Sequence, residues 1–174
     1  MPAGFAIRES VAADLPAIRR LYAEAFPVED LQRLVTALLR DVPEALSLVA
    51  AGDEVVVGHI LFTPCQVAGS GVPVALLGPL AIDPRQQRRG IGGALIRDGL
   101  RRLEAANVGR VLVLGDPAYY GRFGFTAEAD ILPPYPLPRE WAAAWQSIGL
   151  GAAKAPVRGT LSVPQPWRQP ALWA

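Results

Sequence analysis

The residues best suited to chemistry stand in one stretch, Leu80-Ala81-Ile82-Asp83-Pro84-Arg85-Gln86-Gln87-Arg88-Arg89-Gly90-Ile91-Gly92-Gly93-Ala94-Leu95. An apolar, strand-like run ends at Pro84, a polar basic loop follows, and a glycine-rich segment opens a helical pattern. The first N–H groups of a helix lack partners within it and point outward. The aligned peptide dipoles add roughly half a positive charge there. Glycine lets the backbone approach a ligand with no Cβ in the way. Together these features make a phosphate cradle. Arg85, Arg88 and Arg89 bring cations to a helix end where cations are ordinarily disfavoured, which a bound anion would explain. The spacing excludes two familiar cradles. Leu95 stands where the third glycine of Gly-x-Gly-x-x-Gly belongs, and no Lys-Ser/Thr pair completes a P-loop. A glycine-rich helix packed on a sheet, with solvated arginines, remains open on these residues alone.

A second block narrows the reading. Gln87-Arg88-Arg89-Gly90-Ile91-Gly92 resembles the Gln/Arg-x-x-Gly-x-Gly/Ala signature of the GCN5-related N-acetyltransferases. Gly115-Asp116-Pro117-Ala118-Tyr119-Tyr120-Gly121-Arg122-Phe123-Gly124-Phe125 resembles the Tyr-x-x-x-Gly-Phe segment after that superfamily's fifth strand. It is similar in particular to the bacterial YhbS-like branch. The two blocks lie in the matching order within Leu77–Phe125.

The resemblance implies an acyl-CoA N-acyltransferase fold, a mixed α/β arrangement. Its sheet is central and mostly antiparallel, with splayed parallel strands, and helices flank it. It implies acetyl-CoA as co-substrate, no metal, and acetyl transfer to a primary amine by direct attack. Backbone amides from Arg88 and Arg89 through Gly90, Ile91, Gly92 and Gly93 would hold the pyrophosphate, beside Gln87. Leu80, Ala81 and Ile82 would pair with the pantetheine arm, their N–H groups near the acetyl carbonyl. Tyr120, four residues before Gly124, matches the family's general-acid tyrosine. A phenol of pKa near ~10 can protonate a thiolate while staying neutral itself.

The general base is open: Glu29 or Asp30 near the second helix, His59 in an apolar strand, or a water relay. Tyr120 could instead be a packing tyrosine. Cys65 has nothing beside it in sequence to lower its pKa and is expected to be inert. Two other functions stay in view: a catalytically inactive acyl-CoA-binding or sensing module, and a nucleotide-binding protein using the same cradle. The acceptor, a small-molecule or protein amine, and the length of the acyl chain are not specified by any motif.

These residues must be positioned by the rest of the 174-residue chain. That length suits a single domain, 1–174, with enough interior for its own core. Hydrophobic residues at 51% and charged residues at 19% exclude a disordered chain. A net charge of +1 argues against a nucleic-acid partner. A single cysteine and a single histidine exclude an internal disulfide, a cysteine-based zinc cluster and an HExxH site. No apolar run spans a bilayer, and the first residues do not resemble a secretory signal, so a cytoplasmic protein away from membranes is expected.

Phe5–Arg8 reads as a strand. Asp14 reads as the cap of a helix bearing Leu15, Ile18, Leu21, Tyr22 and Phe26 on one face. A second amphipathic helix starts near Asp30. Strands follow over Ala45–Ala51, Glu54–Thr63 and Val72–Ile82, the last interrupted by Pro73 and Pro79. A helix over Gly90–Ala106 carries Gly92 and Gly99 in its apolar arc, which predicts a close neighbour. Arg110–Leu114 reads as a buried strand, Pro117–Arg122 as a turn or short helix, and Phe123–Ala127 as a short strand. The Pro/Trp-rich part, 128–174, is expected to complete the sheet. It should carry a helix around Arg139–Ile148 and a strand around Val157–Val163. Its Trp167, Leu172 and Trp173 either cover the core, the preferred reading, or seal a homodimer.

Overall fold

The computed structural model describes residues 2–151 and 156–174. They form two compact units, each assembled from separate parts of the chain. One takes in the chain up to Thr63 together with Gly78–Gly99; the other takes in Pro64–Leu77 and Leu100–Ala174.

In the first unit, β1 (Ala6–Glu9) pairs antiparallel with β2 (Leu46–Gly52), which pairs antiparallel with β3 (Val55–Val67). The β2–β3 hairpin turns on Asp53 and Glu54, both at positive φ, as a tight primed turn requires. Helices α1 (Leu15–Ala25) and α2 (Leu31–Asp41) connect β1 to β2. They bury Ile18, Leu21 and Tyr22 of the predicted α1 face and Leu34, Val35 and Leu38 on α2. Asp14 does not cap α1. Its carboxylate accepts from the Val11 amide at 2.7 Å and pairs with Arg8, so it secures the short turn before the helix.

Strand side chains alternate between faces, so His59 turns to Tyr22 of α1 while Gly58 turns the other way. A Cβ on Gly58 would meet Ile82, Ile91 and Leu95. Ile91 and Leu95 belong to α3 (Ile91–Ala105). Gly99 of α3 is the predicted close approach: a Cβ there would stand 2.1 Å from the Phe62 ring. Thus α1 and α3 cover opposite faces of β3, and β4 (Val74–Ile82) leads into α3 through the polar loop.

In the second unit, β4 and β5 (Arg110–Leu114) are parallel, with register Val74↔Arg110 to Leu76↔Leu112. The short helix α4 (Pro117–Tyr120) follows β5, with Asp116 accepting from the Ala118 amide at its start. Then come β6 (Thr126–Ala127), β7 (Ile131–Leu132), β8 (Trp145–Gly149) and β9 (Gly159–Ser162). Strand β8 lies between β5 and β6, antiparallel to both. Strand β9 pairs antiparallel with the end of β3 and parallel with β7.

The sequence predicts a helix across β8. Only Arg139–Ala144 is helical, as 3-10 turns. Trp145, Gln146 and Ser147 are buried as a strand, where the Trp145 indole donates to the Ile131 carbonyl and the Gln146 amide to the Gly115 carbonyl. Burial on both faces overrides the helical propensity of the alanines before it. Trp173 is 1% exposed, packs edge-on to Trp145 and donates to the Trp167 carbonyl, so these tail tryptophans act as core cover. The mixed sheet, mostly antiparallel with the β4–β5 parallel pair, is the expected class.

Candidate functional site

The glycine-rich segment builds a helix N-terminus whose backbone is turned by two left-handed residues, Arg88 at φ 63° and Gly90 at φ 79°. The first i→i−4 bond of α3 runs from the Ala94 amide to the Gly90 carbonyl at 3.0 Å. The amides of Ile91, Gly92 and Gly93 precede it and carry the positive end of the dipole. The loop before them is braced. Buried Asp83 accepts from the Arg85 amide at 2.9 Å and from its guanidinium at 2.8 Å. That guanidinium holds the Asp83 carboxyl below the usual carboxylate range, against burial. The Gln87 side chain reaches the Ile82 carbonyl at 3.5 Å.

Three arginines were expected to face an anion together, and the structure divides them. Arg85 is committed to Asp83. Arg89 lies over the Phe5 ring, 5.5 Å from its centroid, and donates to Gln86. Arg88 is exposed and makes no ion pair among the described residues.

Strand β4 leads into this helix start. Its register with β5 ends at Leu76↔Leu112. The Asp83 amide donates to the Val57 carbonyl of β3 at 2.8 Å. Backbone groups alternate along a strand, so the Ala81 amide shares that side while those of Leu80 and Ile82 face away from β3.

Behind β4 lies a buried polar chain that sequence reading missed. Tyr22 and His59 are each 0% exposed. The Tyr22 hydroxyl donates to the Pro79 carbonyl at 3.0 Å and lies 2.8 Å from His59 Nδ1. Ser47 Oγ lies 2.8 Å from His59 Nε2 and accepts from Ser10 Oγ at 2.6 Å. Burial pushes the imidazole down to about 3, with Asp14 opposing only in part, so His59 is neutral. With both nitrogens bonded, His59 is a satisfied structural histidine rather than an exposed base. The one available signal was Tyr22 itself, a phenol on a core-facing stripe whose hydroxyl needs a buried partner. Ser10 and Ser47 also line a cavity of about 450 Å³ with Glu9, Leu15, Leu39 and Val42.

The other base candidates are exposed. Asp30 caps α2, accepting from the Arg33 amide at 3.4 Å, and Glu29 precedes it.

In the second unit, Tyr120 packs on Phe125 and Tyr119, and a Cβ on Gly115 would stand 2.4 Å from its ring. Gly115 therefore makes the space Tyr120 occupies. Burial, with Tyr119 beside it, raises the phenol above its ordinary value. Cys65 is buried, and burial pushes its thiol up to about 12, which keeps it unreactive. Among the described residues no group of three or more His, Cys, Asp or Glu could hold a metal, and no helix is long and apolar enough to cross a membrane.

The acetyltransferase (GNAT) family model matches residues 15–125. The uncharacterized N-acetyltransferase YjhQ of Escherichia coli K12 is 35% identical over 161 residues, 88% of this chain and 89% of YjhQ. The uncharacterized N-acetyltransferase YhbS of the same strain is 36% identical over 124 residues, 71% of this chain and 74% of YhbS. A crystal structure of the E. coli YhbS in complex with CoA covers 97% of this chain and 95% of its own, with a TM-score of 0.87 and 31% identity. A GNAT family acetyltransferase from Brucella melitensis, in complex with acetyl-CoA, covers 94% of this chain and 97% of its own, with a TM-score of 0.75 and 32% identity. The family match covers both blocks read from the sequence, and the relatives extend across most of the chain: the protein belongs to the acetyltransferase (GNAT) family.

Proposed function

We propose that the protein transfers an acetyl group from acetyl-CoA to a primary amine, with the amides at the start of α3 as the pyrophosphate site. The observation that carries this is the backbone there. Arg88 and Gly90 take left-handed conformations, and three free helical amides follow. The relatives crystallised with CoA and acetyl-CoA support the same ligand.

Acetyl-CoA supplies a thioester carbonyl that an uncharged amine can attack. Each protein group then has a distinct task. The amides of Ile91, Gly92 and Gly93 and the guanidinium of Arg88 neutralise phosphate charge. Gln87 and the Asp83–Arg85 pair, with Arg89 on Phe5, hold the loop in shape. The Leu80–Ile82 edge of β4 offers amides to a ligand lying along it as an added strand, and to a carbonyl oxygen gathering negative charge. Tyr120 holds a proton at its hydroxyl, kept there at neutral pH by its raised pKa, for the departing sulfur. A single cysteine, which leaves no internal disulfide, and use of acetyl-CoA suit a cytoplasmic setting.

The test is release of CoA thiol from acetyl-CoA across a panel of small amines and amine-bearing peptides. Tyr120→Phe should lower turnover about 100-fold or more while leaving CoA binding intact. Unchanged turnover in Tyr120→Phe removes its role as acid. CoA binding without thiol release for any amine favours the inactive acyl-CoA-binding module instead.

A further inference from the structure

The chain Ser10–Ser47–His59–Tyr22–Pro79 has a definite polarity. Tyr22 has one hydroxyl hydrogen, and it goes to the Pro79 carbonyl. The Tyr22 oxygen must then accept from His59 Nδ1–H. A neutral imidazole carries one N–H, so Nε2 accepts from the Ser47 hydroxyl. Ser47 in turn accepts from Ser10. Each hydroxyl and ring N–H in the chain donates in the same direction, and the chain ends on a peptide oxygen. Such chains polarise one another in a low-dielectric interior.

The receiving carbonyl belongs to the peptide unit that carries the Leu80 amide. That bond is trans, since the cis bond here is Gly78–Pro79. In a planar trans peptide the C=O and N–H point opposite ways. Tyr22 grips the oxygen on one side, so the Leu80 N–H is aimed at the other, away from β3. Hydrogen bonding at the oxygen draws electrons from the amide nitrogen and makes its hydrogen a stronger donor.

We propose that Tyr22 is a positioning residue for acetyl transfer: backed by His59 and Ser47, its hydroxyl fixes and polarises the Pro79–Leu80 peptide so that the Leu80 amide donates to the thioester oxygen. The inference rests on the acyl-CoA reading above. It gives the buried histidine a task without contact to substrate. It also ties a strand that carries a proline to α1, at the Pro79 carbonyl.

The test uses the full chain and acetyl-CoA labelled with carbon-13 at the carbonyl. In wild type the bound carbonyl resonance moves downfield of free acetyl-CoA. In Tyr22→Phe at least half of that displacement is lost, while CoA raises the melting temperature as it does in wild type. Turnover falls about tenfold with KM for acetyl-CoA unchanged. Ser47→Ala shows a smaller loss and Ser47→Thr, which keeps the hydroxyl, restores the wild-type value. In the ligand-free protein, nitrogen-15 spectra show His59 as the Nδ1–H tautomer. Full displacement in Tyr22→Phe with CoA still bound overturns the inference and leaves the acyl-CoA reading standing. A wild type that CoA does not stabilise overturns the reading itself. Should Tyr22→Phe fail to fold, equal displacements in Ser47→Ala and Ser47→Thr overturn the inference instead, as does an Nε2–H tautomer.

Discussion

His59 shows how a residue's chemistry is set by what surrounds it. In the sequence it is a lone histidine in Val57-Gly58-His59-Ile60-Leu61, open either to a base or to a structural role. The structure seals it between Tyr22 and Ser47 and keeps it neutral, with its pKa near about 3. The unfolded chain binds a proton there near pH ~6.5. A folded pKa below the unfolded one gives stability that is full above pH ~6.5 and is lost as pH falls, at up to ~1.4 kcal/mol per unit. Urea unfolding at about pH 7 and about pH 5 should show that loss in wild type, and a much flatter response in His59→Gln. Equal stability of wild type at both pH values would contradict a buried neutral histidine. The partners of His59 were not legible, because Ser10, Tyr22 and Ser47 meet it from three other elements and no local spacing connects them. The short helix that carries Tyr120 was legible, since the turn signals around it are local.

At the scale of elements, the start of α3 was the most readable part of the chain. Glycines after a basic loop specify both the helix start and the conformation that precedes it. Gly90 makes this testable. It sits at φ 79°, and nothing lies within 4 Å of where a Cβ would stand. Gly90→Ala therefore meets no clash and acts through the backbone alone, at a cost of ~1–2 kcal/mol. The urea midpoint should fall accordingly, and CoA affinity should fall with it as the first amides of α3 turn away. A variant with wild-type stability and affinity would show that the left-handed residue is not needed. What spacing could not show was the fate of the arginines. Arg85 has a buried carboxylate two residues away, and Arg89 has an aromatic ring from the far N-terminus. Charge counted along the loop overstates the charge left for a ligand. The helix expected over Arg139–Ile148 failed for a related reason: β8 is a strand because β5 and β6 flank it, and neither is near it in sequence.

For the whole molecule, the N-terminal element order and both signature blocks could be read directly, because each rests on local periodicity or turn chemistry. The Pro/Trp-rich tail was readable only as cover. Trp145, Trp167 and Trp173 find each other across 28 residues through ring contacts that no motif encodes. An acyl-CoA site would stabilise the folded protein as a whole, so thermal unfolding with CoA, acetyl-CoA and ATP reads it out. A ligand present at about 100 times its Kd stabilises by ~2.7 kcal/mol, which for a chain of this size is on the order of 5–10 °C. Such a rise is expected with CoA and with acetyl-CoA, and none with ATP. No shift at about millimolar acetyl-CoA, or an equal shift with ATP, would contradict an acyl-CoA site at the start of α3.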